Sequence, residues 1–311
     1  MKAVRIHVYG GPEVMIYEDA PVPEITPEEV LIKVYAAATN PVDWKTREGM
    51  LRAVRTYQFP LILGWDVSGT IEEKGSRVKG FQKGDEVYAR PDITRNGSYA
   101  EYIAVKASEV AFKPKSIDHN SAASVPLAGL TAWQSLFDAG RLQSGQTVLI
   151  LGASGGVGSF AVQFAKWRKA HIIGVASTKN LDFLRELGAD EVFDYKNCAY
   201  EKEVSNVDLV FDAVGGEAKT HGWQVLKEGG VFVSITGKPD DAVSEAKGKT
   251  GIGVGVKPSA KELAEIANLI DKGIVKPVVS NVLPLSDASK ALDMLQQGKN
   301  PRGKIVLKVY G

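Results

Sequence analysis

The sequence predicts an α/β protein of two domains, a doubly wound parallel sheet joined to a small β-rich barrel or sandwich. Three observations predict it. A glycine-rich loop, Gly152-Ala153-Ser154-Gly155-Gly156-Val157-Gly158, sits between an apolar strand and an apolar helix. From residue 119 onward short apolar runs alternate with helical stretches, the rhythm of a parallel sheet covered on both faces. Before that point the chain is a succession of Val-, Ile- and Tyr-rich runs separated by Gly, Pro and Asp clusters.

Taken in order, the runs 4–8, 30–35, 67–72, 86–89 and 99–105 are the expected strands of the first domain. Residues 120–139 read as one mostly apolar helix closed by Gly140. Strands are then expected at 148–151, 172–176, 191–193, 209–213 and 231–235, with helices at 159–167, 181–187 and 217–226. After Pro258, helices at 261–272 and 286–297 lead into a closing strand at 304–309. The pattern places a nucleotide domain at 119–253 inside a discontinuous first domain, 1–118 completed by 254–311. Segment 238–253 holds Gly, Lys and Asp with little periodicity, and reads either as a lid or as a surface loop.

Composition narrows the function. The 311 residues suffice for two hydrophobic cores, and 44% apolar with 24% charged residues is a globular balance. Lys and Arg (38) nearly cancel Asp and Glu (37), so no basic excess argues for nucleic acid or an acidic membrane surface. A phosphate-bearing ligand must then be held by local groups. No run of about 18 apolar residues suggests a membrane span, and the N-terminus lacks a signal-peptide pattern. The single cysteine, Cys198, forbids an internal disulfide and a cysteine-built metal site, and favours the cytoplasm or another reducing compartment.

The loop itself points to a dinucleotide. Glycines permit the tight turn, let a pyrophosphate approach the backbone, and let strand and helix pack closely. The helix N-terminus adds free N–H groups and a positive dipole end. In NAD sites an acidic residue usually closes the second strand, about 20 residues on. Here that strand ends Val175-Ala176-Ser177-Thr178-Lys179-Asn180, without a carboxylate. Hydroxyls and a lysine suit a 2′-phosphate, so the cofactor expected is NADPH.

Further motifs span the chain: Asn40-Pro41-Val42-Asp43-Trp44-Lys45, Gly64-Trp65-Asp66-Val67-Ser68-Gly69, Gly84-Asp85-Glu86-Val87, Gly97-Ser98-Tyr99-Ala100-Glu101-Tyr102, Val125-Pro126-Leu127-Ala128-Gly129-Leu130-Thr131-Ala132, Leu187-Gly188-Ala189-Asp190 and Arg302-Gly303-Lys304-Ile305-Val306-Leu307. In this order and spacing the sequence resembles the zinc-independent quinone oxidoreductase and enone reductase branch of the medium-chain dehydrogenase/reductase superfamily, over essentially its whole length. The resemblance implies a GroES-like β-barrel catalytic domain resting on a Rossmann domain, with the cofactor between them. It implies Asn40 and Thr131 near the nicotinamide, Gly152, Ser154, Gly155, Gly156 and Val157 at the pyrophosphate, and Ser177, Lys179 and Tyr195 near the 2′-phosphate. The stretch Phe211-Asp212-Ala213-Val214-Gly215, with Thr236 and Gly237, would wall the riboses, and Arg302 and Lys304 would return from the C-terminus. A homodimer made by joining sheet edges through 229–236 is compatible with the sequence, as is a monomer.

Zinc-dependent alcohol dehydrogenases of the same superfamily are the rival. A catalytic zinc needs three Cys, His or carboxylate ligands. Where those relatives carry Gly-His-Glu this chain has Gly64-Trp65-Asp66; their cysteine near 40–43 is missing, and the four histidines are scattered. No metal is expected. Without a Lewis acid, a conjugated acceptor is the easier substrate, because negative charge spreads onto oxygen as an enolate or quinolate and needs only hydrogen-bond donors. Lys45 is the candidate donor, as in enone-reducing relatives that share its motif, although a solvated surface lysine fits equally well. Asp43 either holds Lys45 or shapes the turn. Tyr57 and Trp65 either line an apolar substrate pocket or pack in a core. Besides reduction of an enone, enal or quinone, a non-catalytic NADPH-binding sensor remains compatible with the sequence, and an alcohol dehydrogenase less so.

Overall fold

The computed structural model describes residues 1–239, 248–299 and 302–310. Half of the expected lid or loop at 238–253, residues 240–247, lies outside the described residues, and its end, Thr250–Gly253, is a strand.

Six parallel strands form one sheet: β9 (Thr147–Leu151), β10 (His171–Ala176), β11 (Glu191–Asp194), β12 (Val207–Asp212), β13 (Leu226–Ser234) and β14 (Thr250–Gly253). Their spatial order, β11-β10-β9-β12-β13-β14, is that of a dinucleotide-binding sheet, which reverses direction beside β9. Alternate residues of β9 serve opposite faces. Val148 and Ile150 join one core with Phe160 and Phe164, whereas Leu149 and Leu151 join another with Trp223 and Phe232. That double burial explains why the strands read as continuous apolar runs. Because all six strands are parallel, the turns following Leu151, Ala176, Asp212 and Ser234 lie along one edge.

A second sheet is assembled from the two ends of the chain. β3 (Glu29–Ala38) pairs with β5 (Val67–Lys74), β7 (Tyr102–Lys106) and β16 (Lys304–Lys308), and β5 leads on to β6 (Glu86–Ala89) and β8 (Val110–Phe112). Val30, Ile32, Val34, Val67, Ile71, Val87 and Val105 fill its interior. β15 (Val279–Pro284) flanks β16, so the last residues of the chain complete the barrel begun by the first. The helix Ala260–Asp271 packs Leu263, Ile266, Leu269 and Ile270 against the core around Val148 and Phe160.

One expectation needs correction, and one open reading is decided. The single helix expected at 120–139 is interrupted: α2 (His119–Ala123) stops before Pro126, which opens α3 (Pro126–Trp133). Proline has no N–H and disfavours a helical residue before it. Past α3 the turns widen until the Gly140 N–H reaches Ser135 O, five residues back, at 2.9 Å. Of the two readings open for 229–236, a free sheet edge or a covered one, the covered edge is what the structure shows. β13 is paired on both sides, by β12 and by β14 of the same chain, so among the described residues the outer strands of this sheet are β11 and β14.

Candidate active site

Backbone geometry makes the glycine loop. Gly152 turns with φ +77°, a conformation L side chains rarely adopt, and α4 (Gly156–Trp167) starts three residues after Ala153. A Cβ on Gly158 would stand 2.2 Å from Gly152 O, so only glycine lets helix and strand approach this closely. The first N–H groups of α4, including those of Gly156 and Val157, have no partner within the helix. Gly155 is bridged to Gly303, and the Gly303 N–H donates to Ser154 O at 3.1 Å, so the C-terminal segment lies directly over the loop. A narrow, backbone-lined cradle at a helix N-terminus fits a pyrophosphate.

Three buried polar residues organise the rest. The first is Asp66, fully buried. Its Oδ2 accepts from Asn40 Nδ2 at 2.8 Å and Lys304 Nζ at 3.0 Å, and its Oδ1 from Leu127 N at 2.6 Å. Lys304 Nζ also donates to Thr39 O at 2.8 Å and to Asn40 Oδ1. Asn40 and Lys304, expected at the cofactor, are thus committed to one buried junction. The break at Pro126 is what exposes the Leu127 N–H at a helix start. Burial pushes the Asp66 carboxyl above the usual carboxylate range against the pull of Lys304.

Asp43 belongs to the same junction. Its Oδ2 accepts from Asn40 N at 2.7 Å and Tyr99 OH at 2.6 Å, which closes the start of α1 (Pro41–Arg47), and burial pushes its carboxyl up to about 7. It therefore shapes the turn, and no hydrogen bond ties it to Lys45. Lys45 is half-buried on α1, with its ammonium 5.6 Å from the Trp44 ring centre and no carboxylate partner among the described residues. Thr131 is buried on α3, its hydroxyl donating to Leu127 O at 2.6 Å.

The second organiser is Asn180. Its Nδ2 donates to Ser154 Oγ at 3.0 Å and Ser177 Oγ at 3.3 Å, and its Oδ1 accepts from Arg302 Nε at 3.0 Å. Arg302 also donates to Lys179 O at 2.7 Å. Ser154, Ser177, Lys179 and Arg302 are thereby gathered beside the second strand. Lys179 is exposed, Ser177 half-buried, and Tyr195 stands exposed after β11. The nearby carboxylate Asp194 is bonded to Thr178 and Asn197.

The third is Asp212, fully buried at the end of β12. It accepts from Val214 N at 2.9 Å, Gly215 N at 2.8 Å, Ser234 Oγ at 2.7 Å and Thr236 Oγ1 at 3.1 Å. Val214, Thr236 and Gly237 are left exposed at the same sheet edge as the glycine loop.

Trp65 has no exposed surface and donates from Nε1 to Arg95 O at 3.2 Å within the barrel-side core. Tyr57, its ring 6.3 Å from that of Trp65, keeps a buried hydroxyl without a partner. Among the described residues no three His, Cys, Asp or Glu side chains are grouped to hold a metal ion, and no helix is long and apolar enough to cross a membrane. Cys198 bonds Glu203, and that contact raises its thiol pKa.

The sequence signal for the organisers was a short polar side chain at the end of an apolar strand, in the turn that follows one, or inside a glycine motif. Their partners could not be read, because they come from distant segments.

Two family models match, "Alcohol dehydrogenase GroES-like domain" over residues 26–115 and "Zinc-binding dehydrogenase" over 187–307. The chain is 38% identical to the NADPH-dependent alkenal/one oxidoreductase of Arabidopsis thaliana, over 99% of this chain and 79% of that one. It is 36% identical to the mouse mitochondrial NAD(P)H oxidoreductase RTN4IP1, over 99% and 89%. Among solved structures, the quinone oxidoreductase of Coxiella burnetii superimposes with a TM-score of 0.91 at 34% identity, covering 99% of both chains. Fold, loop geometry and relatives agree: this chain is an oxidoreductase with a nicotinamide cofactor, and it belongs to the zinc-independent quinone oxidoreductase and enone reductase branch of the medium-chain dehydrogenase/reductase superfamily.

Proposed function

We propose that the protein uses NADPH to reduce the conjugated double bond of an enone or enal, or a quinone, without a metal. The observation that carries this reading is Lys45. It is a half-buried ammonium with no carboxylate partner among the described residues, on the helix that begins at the Asn40–Asp66–Lys304 junction. The relatives named for this chemistry include the 2-methylene-furan-3-one reductase of Solanum lycopersicum, 37% identical over 99% of this chain.

In this reading the nicotinamide supplies hydride when bound. Gly152, Ser154, Gly155, Gly156 and Val157 hold the pyrophosphate. Ser177, Lys179, Tyr195 and Arg302 surround the 2′-phosphate, where Lys179 and the hydroxyls favour NADPH over NADH. Val214, Thr236 and Gly237 border the riboses. Asn40 and Thr131 act from fixed positions, since their side chains are already bonded to Asp66 and Lys304 and to Leu127 O. Lys45 donates to the substrate carbonyl oxygen as negative charge builds there, a stabilisation stronger in the transition state than in the ground state. Tyr57 and Trp65, both buried in the barrel-side core, would back the acceptor pocket. The domains divide as 1–118 with 254–311 and 119–253. A reducing compartment such as the cytoplasm suits the free thiol of Cys198, and a homodimer would join through β14.

The test is an NADPH oxidation screen over quinones, enals, enones, simple alkanals and alcohols, with NADH as the cofactor control. Turnover of conjugated acceptors alone is expected. Lys45→Met should lower kcat on enones by about 10²-fold, the order found when one such donor is removed, with the KM for NADPH unchanged. Full enone turnover by that variant would remove Lys45 from the mechanism.

A further inference from the structure

Arg90 follows β6 and is 4% exposed, yet no hydrogen bond or ion pair engages it among the described residues, and its Nε is buried without a partner. A buried guanidinium without an acceptor is costly, so its position asks for one. The ladder shows where it stands. Val67 of β5 pairs with Ala89 of β6 at the last rung, so Asp66 and Arg90 leave the sheet side by side. Facing residues of an antiparallel pair project to the same side. Asp66 turns to Asn40, Lys304 and Leu127, and is the strongest charged influence on Arg90.

The charged groups that act most strongly on Arg90 are Asp66, Asp92, Arg55 and Glu109. None is within ion-pair distance. Asp66 is occupied by three donors, Asp92 accepts from Thr94 N and Oγ1, both at 2.9 Å, and Glu109 accepts from Asp92 N at 3.0 Å. Arg55 is half-buried with no side-chain partner among the described residues, and its like charge opposes that of Arg90.

We infer that Arg90, flanked by Arg55, is a specificity residue of the acceptor site and binds a carboxylate carried by the enone substrate. The inference rests on the reductase reading above. The planar fork of arginine matches a carboxylate with two parallel hydrogen bonds. A neutral carbonyl would satisfy one donor but leave the repulsion between Arg55 and Arg90 in place.

Calorimetric titration of wild type and Arg90→Met with 4-oxopentanoate and with 2-pentanone, neither of which has a double bond to reduce, tests binding directly. The wild type should bind 4-oxopentanoate about 10–100-fold more tightly than the variant does, the range for a charged hydrogen-bonded group. The affinity for 2-pentanone should not change. In turnover, kcat/KM for 4-oxo-2-pentenoate should fall by the same factor while that for 3-penten-2-one holds. Arg90→Lys, which keeps the charge and loses the fork, should fall between and serves if Arg90→Met does not fold. Equal affinity of wild type and variant for 4-oxopentanoate, or no wild-type preference for it over 2-pentanone, overturns the inference. Neutral enone reduction together with that outcome leaves the reductase reading standing. Arg90-dependent binding of 4-oxopentanoate without reduction of either enone sinks the reductase reading and keeps the anion site.

Discussion

Replacing Lys304 by Met keeps the length of the side chain and deletes its ammonium, which donates to Thr39 O, Asn40 Oδ1 and Asp66 Oδ2. Asp66 has no exposed surface and Lys304 is 5% exposed, so water cannot replace the lost partner. Asp66 would keep Asn40 Nδ2 and Leu127 N as donors but lose its counter-charge. Breaking a buried pair in this way costs about 3–5 kcal/mol, a large part of a typical folding stability of about 5–15 kcal/mol. The pH dependence has a definite sign. Burial already raises the Asp66 carboxyl, and loss of Lys304 raises it further. A group raised in the folded state contributes stability that is fully present below its unfolded value, about 4, and lost as pH rises through the folded value. The deficit of Lys304→Met relative to wild type should therefore be larger at pH 8 than at pH 5. Urea unfolding at both pH values measures it, and adding Asp66→Asn should recover part of the loss, by about 1–3 kcal/mol. A deficit below about 1 kcal/mol at pH 8, or one equally large at both pH values, refutes the account of Asp66 as a buried charge held by Lys304.

Other expectations follow from single contacts. Gly158→Val places atoms against Gly152 O and the Ala153 backbone, and should abolish NADPH binding measured by fluorescence titration, because backbone cannot yield there. Lys179→Ala should raise the KM for NADPH by about tenfold, as expected from losing one charged partner, and leave that for NADH unchanged. Asp43→Asn keeps an acceptor for Asn40 N and Tyr99 OH but cannot titrate. The loss of stability that Asp43 contributes as pH rises from about 4 through about 7 should vanish in thermal midpoints of that variant.

Legibility followed the range of the interactions. The glycine loop, the strand before it and the helix after it were readable because the whole requirement fits into a dozen consecutive residues. The alternation of strands and helices was readable for the same reason, since each doubly buried strand is a short apolar run. The interruption of 120–139 was carried by one residue, Pro126, whose effect is felt only against a pattern that otherwise reads as helix. Whether 229–236 forms a free or a covered edge stayed open because β14, a four-residue strand with two glycines, has little apolar pattern of its own.

The sequence by itself therefore determined the fold class, the nucleotide loop and the absence of a carboxylate after the second strand, all local properties of the chain. Tertiary structure decided what the site residues do. Asp66 meets Asn40 across 26 residues, Leu127 across 61 and Lys304 across 238. Asn180 reaches Arg302 across 122. Burial makes such contacts energetically decisive, because a polar group removed from water must find its partner inside the protein, and only the folded chain specifies which partner is within reach.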